Sequence, residues 1–161
     1  MVTRKVNIEL SQQSLKVVEN DDVIFSTLVS TASNGAGEKQ GSECTPRGKH
    51  VVRAKIGAGC EQNTVFKGRR VTGEIFTETL EQQYSDRDWI LTRILWLSGC
   101  EVGINRLGNV DTMRRYIYIH GCPDSFEMGK PASHGCVRMT NQDVVALFEL
   151  ISVGTEVNIK E

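Results

Sequence analysis

A chain of 161 residues, 39% hydrophobic and 24% charged, is long enough for one domain, residues 1–161, that buries roughly 70% of its unfolded surface. Its 19 basic and 20 acidic residues leave a net charge of −1. With no basic stripe and no charge block, there is no electrostatic case for nucleic acid or an anionic membrane surface as partner.

In chain order, Val6-Ile8-Leu10, Leu15-Val17 and Val23-Ile24-Phe25 with Leu28-Val29 alternate at period two, and Asn20-Asp21-Asp22 is a turn signal between the last two. Residues 4–30 therefore read as a small antiparallel meander. The same alternation, Val6-Asn7-Ile8-Glu9, stands where a signal peptide would run apolar. No window approaches the ~18 apolar residues of a membrane helix, so the expected location is the cytoplasm. Residues 31–50 hold Gly35, Gly37, Gly41, Pro46 and Gly48 and read as a long Gly-rich loop. Strands are expected again at 49–55, 70–77, 89–97 and 115–119. Thr140 to Asp143 forms a capping box, with Asp143 supplying the reciprocal carboxylate. Val144, Leu147, Phe148 and Ile151 then share one helical face, which predicts a helix at about 141–152 stopped by Gly154, before a closing strand at 155–159. The fold is expected to be mainly β.

Cys44, Cys60, Cys100, Cys122 and Cys136 are odd in number and lack framework spacing, which fits a reducing compartment. One of them stands apart. Tyr116-Ile117-Tyr118-Ile119 runs into His120-Gly121, a loop with Pro123, Gly129 and Pro131 follows, and Ser133-His134-Gly135-Cys136-Val137-Arg138-Met139 opens a new strand-like segment. A thiol is mostly protonated near neutral pH and needs a base beside it, for which histidine is the natural partner. Cys136 is the candidate nucleophile and His120, sixteen positions upstream, the candidate base. His134 is the less suitable base, because a tight turn two residues before the thiol need not aim its ring along it. Gly135 permits that turn, so the amides of His134, Gly135 and Cys136 are candidates for an oxyanion hole. The tripeptide His120-Gly121-Cys122 repeats His134-Gly135-Cys136. That leaves two rivals: Cys122 as nucleophile, and a zinc site of two histidines and two cysteines whose His-x-Cys spacing does not match the usual zinc-binding patterns. Arg93, Asn105, Arg106, Asp111 and Arg114 precede the catalytic strand and are candidate pocket residues or ordinary surface and ion-pair residues; Tyr84, Trp89 and Trp96 read as core or rim aromatics.

Ile119-His120-Gly121, twelve further residues to Ala132, and Ser133-His134-Gly135-Cys136-Val137-Arg138-Met139 resemble the signature of the YkuD, or L,D-transpeptidase, family. Thr45-Pro46-Arg47-Gly48 is similar to the family's Thr-Pro-x-Gly element, and the opening meander and Gly154-Thr155-Glu156-Val157 resemble its two ends. The resemblance implies a YkuD-like β-sandwich or barrel whose cysteine attacks the third residue of a peptidoglycan stem and expels D-alanine, without a cofactor or metal. It implies Cys136 as nucleophile and His120 as base, with the ring oriented by the Gly121 carbonyl. His134 and Gly135 would sit on the oxyanion loop, and Ser133 and Arg138 at the substrate, Arg138 either on a carboxylate or bracing the loop. Two features depart from the family. Cys122 replaces a small polar residue, which suggests a Cys122–Cys136 disulfide switch or a bystander thiol. The expected cytoplasmic location favours an L,D-carboxypeptidase on recycled muropeptides or nucleotide-linked precursors over a transpeptidase. An inactive muropeptide-binding or zinc-holding module is a third reading. Oligomeric state is not encoded in any of these features.

Overall fold

The computed structural model describes residues 3–161. Ten strands and two helices follow in order: β1 (Arg4–Glu9), β2 (Ser14–Glu19), β3 (Asp22–Leu28), β4 (Gly48–Ile56), β5 (Thr64–Lys67), β6 (Arg70–Ile75), α1 (Glu78–Gln83), β7 (Ile90–Gly99), β8 (Tyr118–Gly121), β9 (Val137–Met139), α2 (Asn141–Leu150) and β10 (Glu156–Lys160). A 3-10 turn, Gly108–Val110, lies between β7 and β8.

The fold is mainly β, as the alternation predicts. The meander forms with β1 against β2 and β2 against β3, and β10 inserts beside β1 in parallel and against β4 in antiparallel pairing. β7 is the hub. Leu91 pairs with both Val65 of β5 and Gly121 of β8, and Ile94 with both Ile56 of β4 and His120 of β8. A strand has two edges, so β4 and β5 share one edge of β7 in succession while β8 takes the other. β9 continues the sheet in parallel to β8. Its far edge meets the start of the fold: Ser30 exchanges two backbone hydrogen bonds with Arg138, at 2.9 and 2.8 Å. That bridge draws the two ends of the sheet together and gives it a barrel-like closure.

The alternating inward residues of these strands, Val6, Ile8, Leu15, Val17, Leu95, Leu97, Ile119, Val137, Met139, Val157 and Ile159, make one buried core. α2 covers it with Val144, Leu147 and Phe148, joined by Ile151 just past its end, side chains whose burial stabilises by about 1.5–3 kcal/mol each. Thr140 caps this helix, its hydroxyl accepting from the Asp143 amide at 3.2 Å. The Asp143 carboxylate is not the reciprocal half of a capping box, because it accepts a hydrogen bond from the Thr27 hydroxyl of β3 instead. The helix ends at Leu150, with Lys55 Nζ donating to the carbonyls of Phe148 and Ile151. Gly154 (φ +94°) serves the turn into β10, not the helix end.

Other boundaries differ for local reasons. The strand expected at 115–119 begins at Tyr118, because Asp111 accepts hydrogen bonds from Leu107 N and Arg114 N and Tyr116 turns back with φ +57°. The β5 strand and α1 carry no clear periodicity. α1 is capped by Thr77 and buries none of its own residues. No helix among the described residues is long and apolar enough to cross a membrane.

Candidate active site

The parallel register of β8 and β9 builds the site. Ile119 lies opposite Val137 and His120 opposite Arg138, which places Cys136 beside Tyr118. Side chains alternate along a strand, so Ile119, Val137 and Met139 point into the core while Tyr118, His120, Cys136 and Arg138 share the outer face. These four line one cleft of about 410 Å³ together with Arg69, Asp88, Arg115, Ser133 and His134.

His120 is buried, and its Nδ1 lies 2.6 Å from the Gly121 carbonyl. A carbonyl only accepts, so Nδ1 carries the proton and Nε2 presents a lone pair. Burial pushes the ring's pKa down, only partly offset by the Asp88 carboxylate and the Gly121 carbonyl. Gly121 is required at this point: a Cβ there would stand 2.5 Å from Asn141 Oδ1 and 2.6 Å from the Leu91 carbonyl. Cys136 is half-buried. Its sulfur accepts from Tyr118 N at 3.3 Å and its thiol donates to the Tyr116 carbonyl at 3.4 Å. Desolvation pushes the thiol up to about 12, with the Tyr118 amide, Arg138 and Arg115 pulling it down and Asp88 adding to the rise. Burial thus disfavours the charged form of both groups.

The loop before Cys136 is held from three sides. Ser133 Oγ donates to the Cys136 carbonyl at 2.6 Å and accepts from Gly135 N at 3.2 Å. Thr45, fully buried, donates to the Gly135 carbonyl at 2.9 Å and accepts from Ala32 N at 3.0 Å. Gly135 has φ +136°, and a Cβ on it would press on Ile117 and the Cys44 carbonyl. The Gly135 amide is therefore committed to Ser133, a correction to its place among the oxyanion donors. The amides of His134 and Cys136 have no hydrogen-bond partner among the described residues. His134 itself is exposed at the cleft mouth.

Arg138 is nearly buried, donates to the Ala132 carbonyl at 3.4 Å, pairs with Asp88 at 3.5 Å and lies over the Phe126 ring. In the resting structure it braces the loop. Cys122 does not reach Cys136. Its thiol donates to the Met139 carbonyl at 3.3 Å, three residues along β9, or ~10 Å at the ordinary strand rise. A disulfide needs Cα atoms within about 7 Å, so the proposed disulfide switch is excluded without unravelling β9. The same separation removes the zinc reading, since Cys122 lies beyond reach of Cys136 and His134 is exposed. No three His, Cys, Asp or Glu side chains group as metal ligands among the described residues.

Arg93, Asn105 and Asp111 are structural. Arg93 donates to the carbonyls of Cys60 and Thr92, and Asn105 Nδ2 to those of Arg47 and Lys49. Arg106 and Arg114 are exposed and lie outside the cleft lining. Trp89 is a core aromatic and Trp96 a rim one, while Tyr84 is exposed. Sequence reasoning gave no role to Arg69 or Arg115, which line the cleft, or to the Asp88 carboxylate. The signal for Arg69 lay in the Gly68-Arg69 turn between two strands, of which β5 was not legible.

The L,D-transpeptidase catalytic domain model of the YkuD family matches residues 3–159. Among curated proteins, a probable L,D-transpeptidase of Escherichia coli, YbiS, is 49% identical over 43 residues, covering 27% of this chain and 14% of that protein. A putative L,D-transpeptidase of Bacillus subtilis, YkuD, is 39% identical over 46 residues, covering 29% and 28%. An L,D-transpeptidase of Mycobacterium smegmatis superposes with a TM-score of 0.60 at 17% identity, covering 99% of this chain and 59% of that one. L,D-transpeptidase 3 of Mycobacterium tuberculosis, solved with a faropenem-derived adduct, gives 0.61 at 15%, covering 99% and 61%. The chain thus spans less than two thirds of these solved proteins, and its matches to the curated ones are shorter still. With the model matched over nearly its whole length, the chain belongs to the YkuD family of L,D-transpeptidase catalytic domains.

Proposed function

We propose that this protein is a cysteine acyl-transfer peptidase that cleaves peptidoglycan stems at the carbonyl of an L-centred third residue. We propose further that water is its acyl acceptor, which makes it an L,D-carboxypeptidase. The observation that carries the reading is one outer face that holds both Cys136 and a buried His120 whose Nδ1 is fixed on the Gly121 carbonyl, leaving Nε2 as base.

Cys136 Sγ attacks the scissile carbonyl as its proton passes to His120 Nε2. Because burial disfavours both the thiolate and the imidazolium, the transfer accompanies attack instead of preceding it. The oxyanion forms near the Cys136 amide, where that N–H and the His134 N–H are uncommitted; a well-aimed donor of this kind is worth about 3–4 kcal/mol. The His120 imidazolium then protonates the amine of the departing D-alanine, leaving a thioester on Cys136. Water, deprotonated by the same Nε2, attacks the thioester and releases the tripeptide. A cleft of about 410 Å³ is the size of a small-ligand site and suits one short stem. In a cytoplasmic setting, recycled muropeptides and nucleotide-linked precursors supply such stems.

Transpeptidation is the second reading, favoured by the names of the relatives, a probable and a putative L,D-transpeptidase. Mass spectrometry after incubation with disaccharide-tetrapeptide separates the two, with Cys136→Ala as control. Tripeptide plus free D-alanine, lost in the variant, supports the carboxypeptidase. Cross-linked dimers or exchange of the terminal D-residue would replace it with the transpeptidase, and no reaction would remove both. A penem or carbapenem should also add covalently to Cys136, as the faropenem-derived adduct of the mycobacterial structure suggests.

A further inference from the structure

Besides the reacting pair, the cleft carries three arginines, Arg69, Arg115 and Arg138, against one carboxylate, Asp88. Asp88 pairs with Arg138, which leaves Arg69 and Arg115 without an acidic partner within salt-bridge distance among the described residues, except that Glu38 acts on Arg115 from farther off. The two are used differently. Arg115 is half-buried, and its two terminal nitrogens are spent on the carbonyls of Gly37 and Cys44 and the hydroxyl of Ser42. It ties the Gly-rich loop to the site.

Arg69 is held but not spent. It sits at the tip of the β5–β6 hairpin, where Gly68 and Arg69 both have positive φ, +57° and +66°. That turn type suits the hairpin, but the second position is unusual for a residue with a side chain and fixes where the chain leaves the tip. The guanidinium stacks over the rings of Trp96, at 4.9 Å, and Tyr116, at 4.7 Å, and Nη1 donates to the Tyr118 hydroxyl at 2.9 Å. A guanidinium has five N–H donors, and the other four have no hydrogen-bond partner among the described residues. A stacked, unpaired guanidinium on a cleft wall is prepared for a planar anion.

We propose that Arg69 is a specificity-determining residue that binds the terminal carboxylate of the leaving D-amino acid. This rests on the acyl-transfer reading given above. Tyr118 sets the spacing: its amide donates to Cys136 Sγ and its hydroxyl accepts from Arg69, so one tyrosine side chain separates nucleophile from cation. With the scissile carbonyl at the Cys136 end of that side chain, a carboxylate one residue on, roughly 3.8 Å further along the chain, would extend toward its Arg69 end. The cleft is then selective for stems that end one residue after the cleaved bond, which makes the enzyme an exopeptidase by charge recognition.

The test compares a tetrapeptide stem with a free C-terminal carboxylate against its C-terminal carboxamide, in the wild type, Arg69→Gln and Arg69→Lys. The wild type is expected to prefer the acid by about ten- to hundredfold in kcat/KM, the usual range for one charge-assisted contact. Arg69→Gln should bring the ratio close to one through a rise in KM for the acid larger than any change for the amide, and Arg69→Lys should retain an intermediate preference. Calorimetric binding of both peptides to Cys136→Ala, with and without Arg69→Gln, makes the same comparison without turnover. A preference for the acid that survives Arg69→Gln overturns the inference, as does a wild type that treats acid and amide alike while still releasing D-alanine. Loss of the binding preference in Arg69→Gln supports it even if turnover fails, in which case only the acyl-transfer reading falls.

Discussion

Thr45→Val isolates the brace behind the nucleophile. The two side chains have nearly the same shape, so the substitution removes two hydrogen bonds and little volume. Thr45 is completely buried, and its hydroxyl both donates to the Gly135 carbonyl and accepts from Ala32 N. Each backbone group left unpaired in the interior costs about 1–3 kcal/mol, and a buried methyl in place of the hydroxyl offsets about 1 kcal/mol of the sum. The net loss centres on ~3 kcal/mol, which for a domain of this size lowers Tm by ~6–12 °C. Urea titration should show the midpoint falling with an unchanged slope, since the surface exposed on unfolding is the same. The Gly135 carbonyl also sets the aim of the next amide, so kcat should fall with KM little changed. A Tm within about 2 °C of the wild type, together with an unaltered kcat, would refute the idea that Thr45 holds the Gly135–Cys136 segment in place.

Two further predictions follow from burial of ionisable groups. Alkylation of Cys136 by iodoacetamide at pH 7 should be slower than that of a free small thiol and should keep rising with pH above 9, because the thiol is pushed up to about 12 and the imidazole is held neutral; a labelling rate already level below pH 7 would mean a resting thiolate–imidazolium pair. His50 is fully buried between the Gly48 carbonyl and the Thr112 hydroxyl, each at 3.0 Å, and burial lowers it to about 4. The unfolded chain, with its histidine near 6.5, binds that proton first. Stability is then intact above pH 6.5 and lost as pH falls toward 4, by about 2 kcal/mol at pH 5. His120 adds to the loss in the same direction. Urea titrations between pH 7 and pH 4.5 should show a shallower decline in His50→Gln than in the wild type, and an equal decline would refute the assignment.

The parts of the fold legible in the sequence were those whose residues bury one face at a regular period. Val6, Ile8, Leu15 and Val17 alternate because each strand has a core side, and Val144, Leu147 and Phe148 recur because α2 lies across that core. β5 escaped notice because Thr64, Val65 and Phe66 are buried in succession, with no polar alternation to mark a strand. α1 escaped because only Leu80 turns toward a cluster, beneath Trp89 and Phe76. Of the site, the sharing of one cleft by His120 and Cys136 was legible from spacing and chemistry, and Thr45 only through its similarity to a family element. Arg69, Arg115 and Asp88 come from three separate loops and turns, and nothing local in a sequence says that three such positions meet on one wall. Cys122 misled for the opposite reason. It is close to His120 in sequence, but parallel strands carry it away from Cys136, toward Met139.

Register and burial together disfavour a charged Cys136–His120 pair. Parallel pairing sets His120 opposite Arg138 and carries Cys136 beside Tyr118, so the proposed nucleophile and base are diagonal neighbours and not directly opposed. In the resting structure the thiol satisfies itself on the Tyr116 carbonyl while His120 Nε2 stays open. A permanent ion pair would require two charges in a region whose burial raises the thiol and lowers the imidazole, the Asp88 carboxylate offsetting the second effect only in part. In the proposed reaction, charge then develops only when the scissile carbonyl is present to receive the sulfur and the His134 and Cys136 amides to receive the oxyanion. The arginine opposite His120 braces the Ala132 carbonyl, and burial, more than this guanidinium, is what lowers the ring's proton affinity against the pull of Asp88.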